Sequence, residues 1–182
     1  APAFADLDND GDYDLLIGET LGISYGYQNT GSASSPTWTA KTAWDTADVG
    51  DQAAPDFADL DNDGDYDLLI GEYYGISYGY KNTGSASSPT WTKTAWDAPD
   101  VGDRAAPEFA DLDNDGDYDL LIGENFGISK GYENVGTASS PAWTAKTAWD
   151  TADVGDRSTP AFADLNGDGD YDLLIGEYLG IS

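Results

Sequence analysis

The chain has 182 residues, with 35 acidic against 7 basic side chains for a formal net charge of −28, and no His, Cys or Met. Without Cys or His there is no zinc site of the usual kind, no disulfide, no thiolate nucleophile and no imidazole base, which closes most familiar enzyme mechanisms. So negative a chain is repelled by phosphate backbones and anionic lipid, and it has no apolar run of spanning length, which excludes nucleic acid as a partner and membrane insertion.

Hydrophobic residues make up 40% of the chain and Trp, Tyr and Phe total 23, a composition that argues for a packed core and against a disordered polyanion. The opening Ala1-Pro2-Ala3-Phe4 has neither an initiator Met nor a signal-peptide pattern, so a processed or excised segment is expected. The first predicted strand covers Phe4-Ala5-Asp6-Leu7, and the second is the apolar run Leu15-Leu16-Ile17, expected to be covered on both faces. Between Ile23 and Gln28 the pattern has period two, with Ile23, Tyr25 and Tyr27 on one face and Ser24, Gly26 and Gln28 on the other. Lys130 stands in the third copy where Tyr25 and Tyr78 stand in the others, which predicts that this position reaches solvent. A turn-rich stretch from Asn29 to Pro36 follows, then a Trp-bearing strand between Thr37 and Asp45. Helical periodicity is absent, and Asp45 to Asp48 makes at most one turn.

These segments recur. The string DLDNDGDYD occupies 6–14, 59–67 and 111–119, and DLNGDGDYD occupies 164–172, at spacings of 53, 52 and 53 residues. Repeat units are therefore placed at 1–53, 54–105 and 106–158, with a partial fourth at 159–182 that matches residues 1–24 at 20 of 24 positions. The one-residue difference lies between the paired tryptophans, Trp38 to Trp44 and Trp143 to Trp149 against Trp91 to Trp96, and a deletion there is tolerable only in a turn or bulge. The expected architecture is all-β, with tandem units of about 53 residues and four short strands each.

Nineteen of the 35 acidic residues fall within the four nine-residue strings. Two carboxylates ~4 Å apart repel by about 4 kcal/mol at an effective dielectric near 20, so something positive must offset them. Lys and Arg are absent from the strings, which points to a hard cation held by oxygen ligands. In Asp6-Leu7-Asp8-Asn9-Asp10-Gly11-Asp12-Tyr13-Asp14, side chains 1, 3, 5 and 9 can converge while the carbonyl of position 7 adds a ligand and Gly11 permits a sharp turn. Position 12 is Ile17 in place of a bidentate Glu, with Ile70, Ile122 and Ile175 in the other copies, and the flanks are strands, so this is no EF-hand. In the fourth copy Asn166 and Gly167 replace Asp8 and Asn9, keeping an oxygen ligand at lower charge, which predicts a weaker site.

The residues Phe4-Ala5-Asp6-Leu7 through Gly18, with Gly22-Ile23-Ser24-Tyr25-Gly26-Tyr27, Asn29-Thr30-Gly31 and Pro36, resemble the FG-GAP or VCBS repeats of integrin-alpha-like β-propellers. The literal Phe-Gly and Gly-Ala-Pro signatures are replaced by Phe4-Ala5 and Ala53-Ala54-Pro55, which places the likeness nearer the bacterial VCBS type. The resemblance implies four-stranded propeller blades with one Ca2+ in the loop joining the first two strands, four ions in all. Its ligands would be the side chains of Asp6, Asp8, Asp10 and Asp14 with the carbonyl of Asp12. In the same register stand Asp59, Asp61, Asp63, Asp65 and Asp67; then Asp111, Asp113, Asp115, Asp117 and Asp119; then Asp164, Asn166, Asp168, Asp170 and Asp172. Propellers close with four to eight blades, so three and a half blades imply two chains combining, a longer array, or an open linear stack.

Three functional classes remain. Catalysis by paired carboxylates is disfavoured, because Glu19, Glu72, Glu124 and Glu177 recur in every copy whereas an active site is a single constellation. The six tryptophans could stack on sugars in a multivalent lectin-like array, although packing between sheets is the favoured reading. The hydroxyl-rich stretch 29–37 admits O-linked glycans, with an ordinary turn favoured, and no Asn-x-Ser/Thr sequon occurs. The preferred expectation is a non-enzymatic extracellular or cell-surface scaffold, structural or adhesive, rigidified by Ca2+ and self-associating into a closed propeller or a fibre.

Overall fold

The computed structural model describes residues 1–85, 87–137 and 139–180, whose regular elements are short antiparallel strands and one 3-10 turn. Ile181 and Ser182, which end the fourth Gly-Ile-Ser, lie outside the described residues. Unit one is a meander of β1 (Pro2–Ala5), β2 (Asp14–Gly18), β3 (Ser24–Asn29) and β4 (Trp38–Ala40). Unit two repeats it with β5 (Ala54–Ala58), β6 (Asp67–Gly71), β7 (Ser77–Asn82) and β8 (Trp91–Lys93). Unit three follows with β9 (Ala106–Ala110), β10 (Asp119–Gly123), β11 (Ser129–Asn134) and β12 (Trp143–Ala145). The last unit contributes β13 (Thr159–Ala163) and β14 (Asp172–Gly176).

The register puts the same row across each sheet. Phe4 pairs Leu15, Leu15 pairs Tyr27 and Tyr27 pairs Ala40, while unit two aligns Phe57, Leu68, Tyr80 and Lys93. Because neighbouring side chains on a strand point to opposite faces, the second strand serves two interfaces. Leu16 packs against Leu68 and Ile70 of unit two, and Leu69 packs against Leu120 and Ile122 of unit three. That is why Leu-Leu-Ile is continuous rather than alternating, and why β6 and β10 are buried at all five positions. The first strands pack in succession, β1 on β5, β5 on β9 and β9 on β13. Gly18 is required by this approach, since a Cβ there would stand 2.1 Å from the Ala53 carbonyl oxygen. No sheet among the described residues closes on itself, and the result is an open array of blade-type units.

The tryptophans bind unit to unit. Trp44 lies on the glycine of β3, where a Gly26 Cβ would meet the Trp44 Cβ at 2.6 Å. In turn Trp91 Nε1–H donates to the Trp44 carbonyl at 2.9 Å, and Trp143 Nε1–H donates to the Trp96 carbonyl at 2.8 Å. Among the described residues only 42–44 form a helical turn, a 3-10 segment, whereas Asp45 to Asp48 is irregular. The missing residue of unit two falls in that turn: Lys41 and Thr94 both donate their N–H to the equivalent glycine carbonyl, after which the chain reaches Trp44 in three steps and Trp96 in two.

Two expectations need correction. The first strand runs from Pro2 to Ala5, not from Phe4 to Leu7, because Asp6 and Leu7 already belong to the acidic loop, where the Leu7 N–H donates to Asp14. Lys130 does not extend freely into solvent; it is half-buried, and its Nζ donates to the Val101 carbonyl of unit two at 2.6 Å. Its apolar stem occupies the aromatic position while the ammonium finds an acceptor across the unit boundary.

Candidate metal centres

Each Asp-rich string is the connection from the first to the second strand of its unit, and its path is dictated by two backbone requirements. Asn9, Asn62 and Asn114 have φ of 59°, 55° and 60°, the left-handed region that Asn tolerates and Gly adopts freely. Gly167 takes the same place in the fourth loop with φ 80°, so the exchange of Asn9 for Gly167 preserves the turn. Gly11 has φ 92° with open space around it, so conformation and not crowding demands glycine there.

Position 1 organises the loop. The Asp6 carboxylate accepts the N–H groups of Asp10 (3.1 Å) and Gly11 (2.9 Å), and Asp59 and Asp111 bind their loops likewise, whereas Asp164 accepts from Gly167 (2.6 Å) and Gly169 (3.0 Å). These bonds, that from Gly167 first, hold the fully exposed Asp164 carboxyl below its ordinary value. Position 5 accepts the N–H of position 7, as in Asp12 to Asp10 at 3.0 Å and Asp170 to Asp168 at 3.0 Å. Asp65 and Asp117 donate in the same way to Asp63 and Asp115. Position 9 is buried in the three complete units and ties loop to sheet: Asp14 accepts from Leu7 (2.9 Å) and from Asn29 (2.7 Å) at the end of β3. Asp67 and Asp119 repeat both bonds, and Asp172 accepts from Leu165 at 2.9 Å.

In each complete unit three of the loop's carboxylates come together, and among the described residues no such trio forms in the fourth loop. Single oxygens of Asp6, Asp8 and Asp10 lie within 4.8 Å of one another, as do those of Asp59, Asp61 and Asp67, and of Asp111, Asp113 and Asp115. Burial raises the Asp14 carboxyl and pushes Asp67 up to about 7 and Asp119 up to about 6, against the opposing backbone hydrogen bonds. Two buried oxygens, Asp8 Oδ1 and Asp61 Oδ1, have no hydrogen-bond partner. An orphaned, desolvated carboxylate oxygen inside an acidic cluster is costly unless a cation meets it, so the donor set fits a hard divalent ion. In the fourth loop Asn166 Oδ1 accepts the Asp168 N–H at 2.9 Å, which keeps an oxygen at position 3 at lower charge.

The sequence reading missed what lies above position 3. Gln28, Lys81 and Glu133 occupy the same place on β3, β7 and β11. Gln28 Nε2–H donates to Asp8, and Lys81 bonds Asp61 and, at 2.9 Å, Asp63. The absence of cations from the strings therefore does not leave every cluster without one. Glu133 pairs instead with Lys146. The period-two pattern already put Gln28 on the polar face, but nothing local says that this face overhangs a loop 20 residues earlier.

The repeated glutamates have a structural role. Glu72 and Glu124 are buried, and their carboxylates accept the N–H groups of Tyr74 and Ile76, and of Phe126 and Ile128, bracing the turn between second and third strands. Among the described residues no helix is long and apolar enough to cross a membrane.

Strand meanders repeated in tandem, each with an acidic loop between its first two strands, define a blade-type repeat protein. Residues 59–122, from the second acidic loop into β10, match the family model described as an FG-GAP-like repeat, so this part of the chain is similar to such repeats. No curated protein matches the chain.

Proposed function

We propose that the chain is a non-enzymatic, extracellular calcium-binding scaffold, structural or adhesive, whose units are rigidified by one Ca2+ per loop and which assembles with further copies of itself. The observation that carries this reading is the pair of orphaned oxygens, Asp8 Oδ1 and Asp61 Oδ1, inside carboxylate clusters built twice on the same backbone scaffold. The proposed ligands are Asp6, Asp8, Asp10 and Asp14 with the Asp12 carbonyl, and their counterparts in the other three loops. Ca2+ would neutralise these groups without proton uptake and would tie each loop to the strand end that position 9 already grips. Millimolar extracellular Ca2+ saturates even modest sites of this type.

A ligand that binds only the folded state raises its stability by mass action, by about 2.7 kcal/mol at a hundredfold excess over Kd. The melting midpoint is therefore expected to rise by several degrees in millimolar Ca2+ relative to chelator, and an unchanged midpoint would refute the calcium reading. A carbohydrate site is the second reading, favoured by an open aromatic hollow of Phe4, Tyr13 and Trp38 on unit one. Tryptophan fluorescence titrated with a glycan panel tests it, and a silent panel sinks it.

A further inference from the structure

Lys81 gives the second acidic loop an ammonium bonded directly to its carboxylates; in the third loop Lys146 acts on Asp113 and Asp119 only through space, while it pairs with Glu133. Lys81 projects from β7 across the cluster and bonds the position-3 and position-5 carboxylates, Asp61 and Asp63. The Asp61 side chain is 6% exposed and its second oxygen has no partner, so it stays aimed into the cluster it shares with Asp59 and Asp67. Lys81 itself is 30% exposed, on a flexible stem that can swing out to water. In unit one the same place holds Gln28, which donates to Asp8 without adding charge and is held from behind by Lys41 Nζ at 3.0 Å. In unit three it holds Glu133, which pairs with Lys146.

We infer that Lys81 is a built-in counter-ion that competes with the metal, so that the second loop binds Ca2+ more weakly than the first and keeps its shape without it. This rests on the calcium reading above and deepens it. A cation entering loop two must displace or coexist with a like charge on the very carboxylates it needs, whereas in loop one the group in contact with them is an amide dipole and the Lys41 ammonium stands behind it. At a separation of ~4 Å the repulsion of like charges is large enough to weaken binding by about tenfold or more, even after the lysine relaxes into solvent. The same ammonium offsets carboxylate repulsion when no metal is present. The middle unit thus depends least on Ca2+, although its loop string is identical to those on either side.

The test is calorimetric titration of the full chain with CaCl2, together with melting in chelator, for the wild type, Lys81→Gln and Gln28→Lys. Both substitutions install a residue that the fold already accommodates at that place. Lys81→Gln is expected to tighten the weakest class of sites by about tenfold or more and to lower the melting midpoint in chelator. Gln28→Lys is expected to move one further site into the weak class. A lysine that only braced the sheet would lower the midpoint with and without Ca2+ and leave every affinity in place. If the wild type binds Ca2+ and neither variant changes an affinity, the inference about Lys81 falls while the calcium reading stands. If no form takes up Ca2+, both fall.

Discussion

Asp56 and Glu108 occupy the place on the first strand that Ala3 and Ala161 hold in the outer units. Each reaches into the next unit, Asp56 accepting the Phe109 N–H at 2.9 Å and Glu108 the Phe162 N–H at 3.1 Å. Burial raises the Asp56 carboxyl well above its ordinary value, the nearby Glu108 raises it further, and burial raises Glu108 as well. A carboxyl whose folded pKa lies above its unfolded one contributes its full stability below the unfolded value. That contribution is lost as pH rises through the folded value, because the native state binds more protons in between. Asp56→Asn keeps the acceptor oxygen and cannot ionise. It is expected to raise the melting midpoint at pH 8 by a few degrees and to leave it nearly unchanged at pH 4, at constant Ca2+. Parallel pH profiles for the two proteins would show that the Asp56 carboxyl is not strained by ionisation.

At the scale of the element, the second strand shows how one sequence has different energetic value in different surroundings. Leu69 is fully buried between units two and three, whereas Leu174, at the same place in β14, is 64% exposed. Leu69→Ala is expected to cost about 2–5 kcal/mol, from lost burial and the cavity left behind. Leu174→Ala is expected to stay within about 0.5 kcal/mol in dilute solution, as for other surface changes. Urea unfolding of both variants checks this, and equal losses would contradict the interface assignment. The number and order of the strands, the acidic turns and the tolerant turn before Trp44 were legible in the sequence, because each is set by residues within a few positions of one another, whereas the first strand lies two residues earlier than its local pattern indicates. What escaped it joins distant parts of the chain: Lys81 over Asp61, Lys130 on the Val101 carbonyl, and the Asp56 and Glu108 seams. In a repeat protein such long-range positions are where the copies differ. Averaging the copies to find the motif therefore conceals them.

For the whole molecule, the repeat makes its two outer faces complementary. Within the array, Leu16 seats against Leu68 and Ile70, the second-strand residues that face the preceding unit. On unit one the corresponding Ile17, together with Phe4 and Trp38, is exposed, and on unit four the knob corresponding to Leu16 is the exposed Leu174. Two copies meeting head to tail would rebuild at their junction the second-strand contact already present between units one and two, without the Trp44, Val49 and Ala53 part of it. Such a heterologous contact generates a ring where the rotation closes and a filament where it does not. The proposed self-association is therefore expected to appear in sedimentation velocity as species growing with concentration in millimolar Ca2+. Leu174→Asp, which puts a charge where an apolar pocket must be filled, is expected to reduce them to monomer while leaving the melting midpoint of the dilute protein within a few degrees of wild type. A wild-type chain that stays monomeric up to high micromolar concentration in Ca2+, or a Leu174→Asp variant that assembles as before, would show that these two faces do not join.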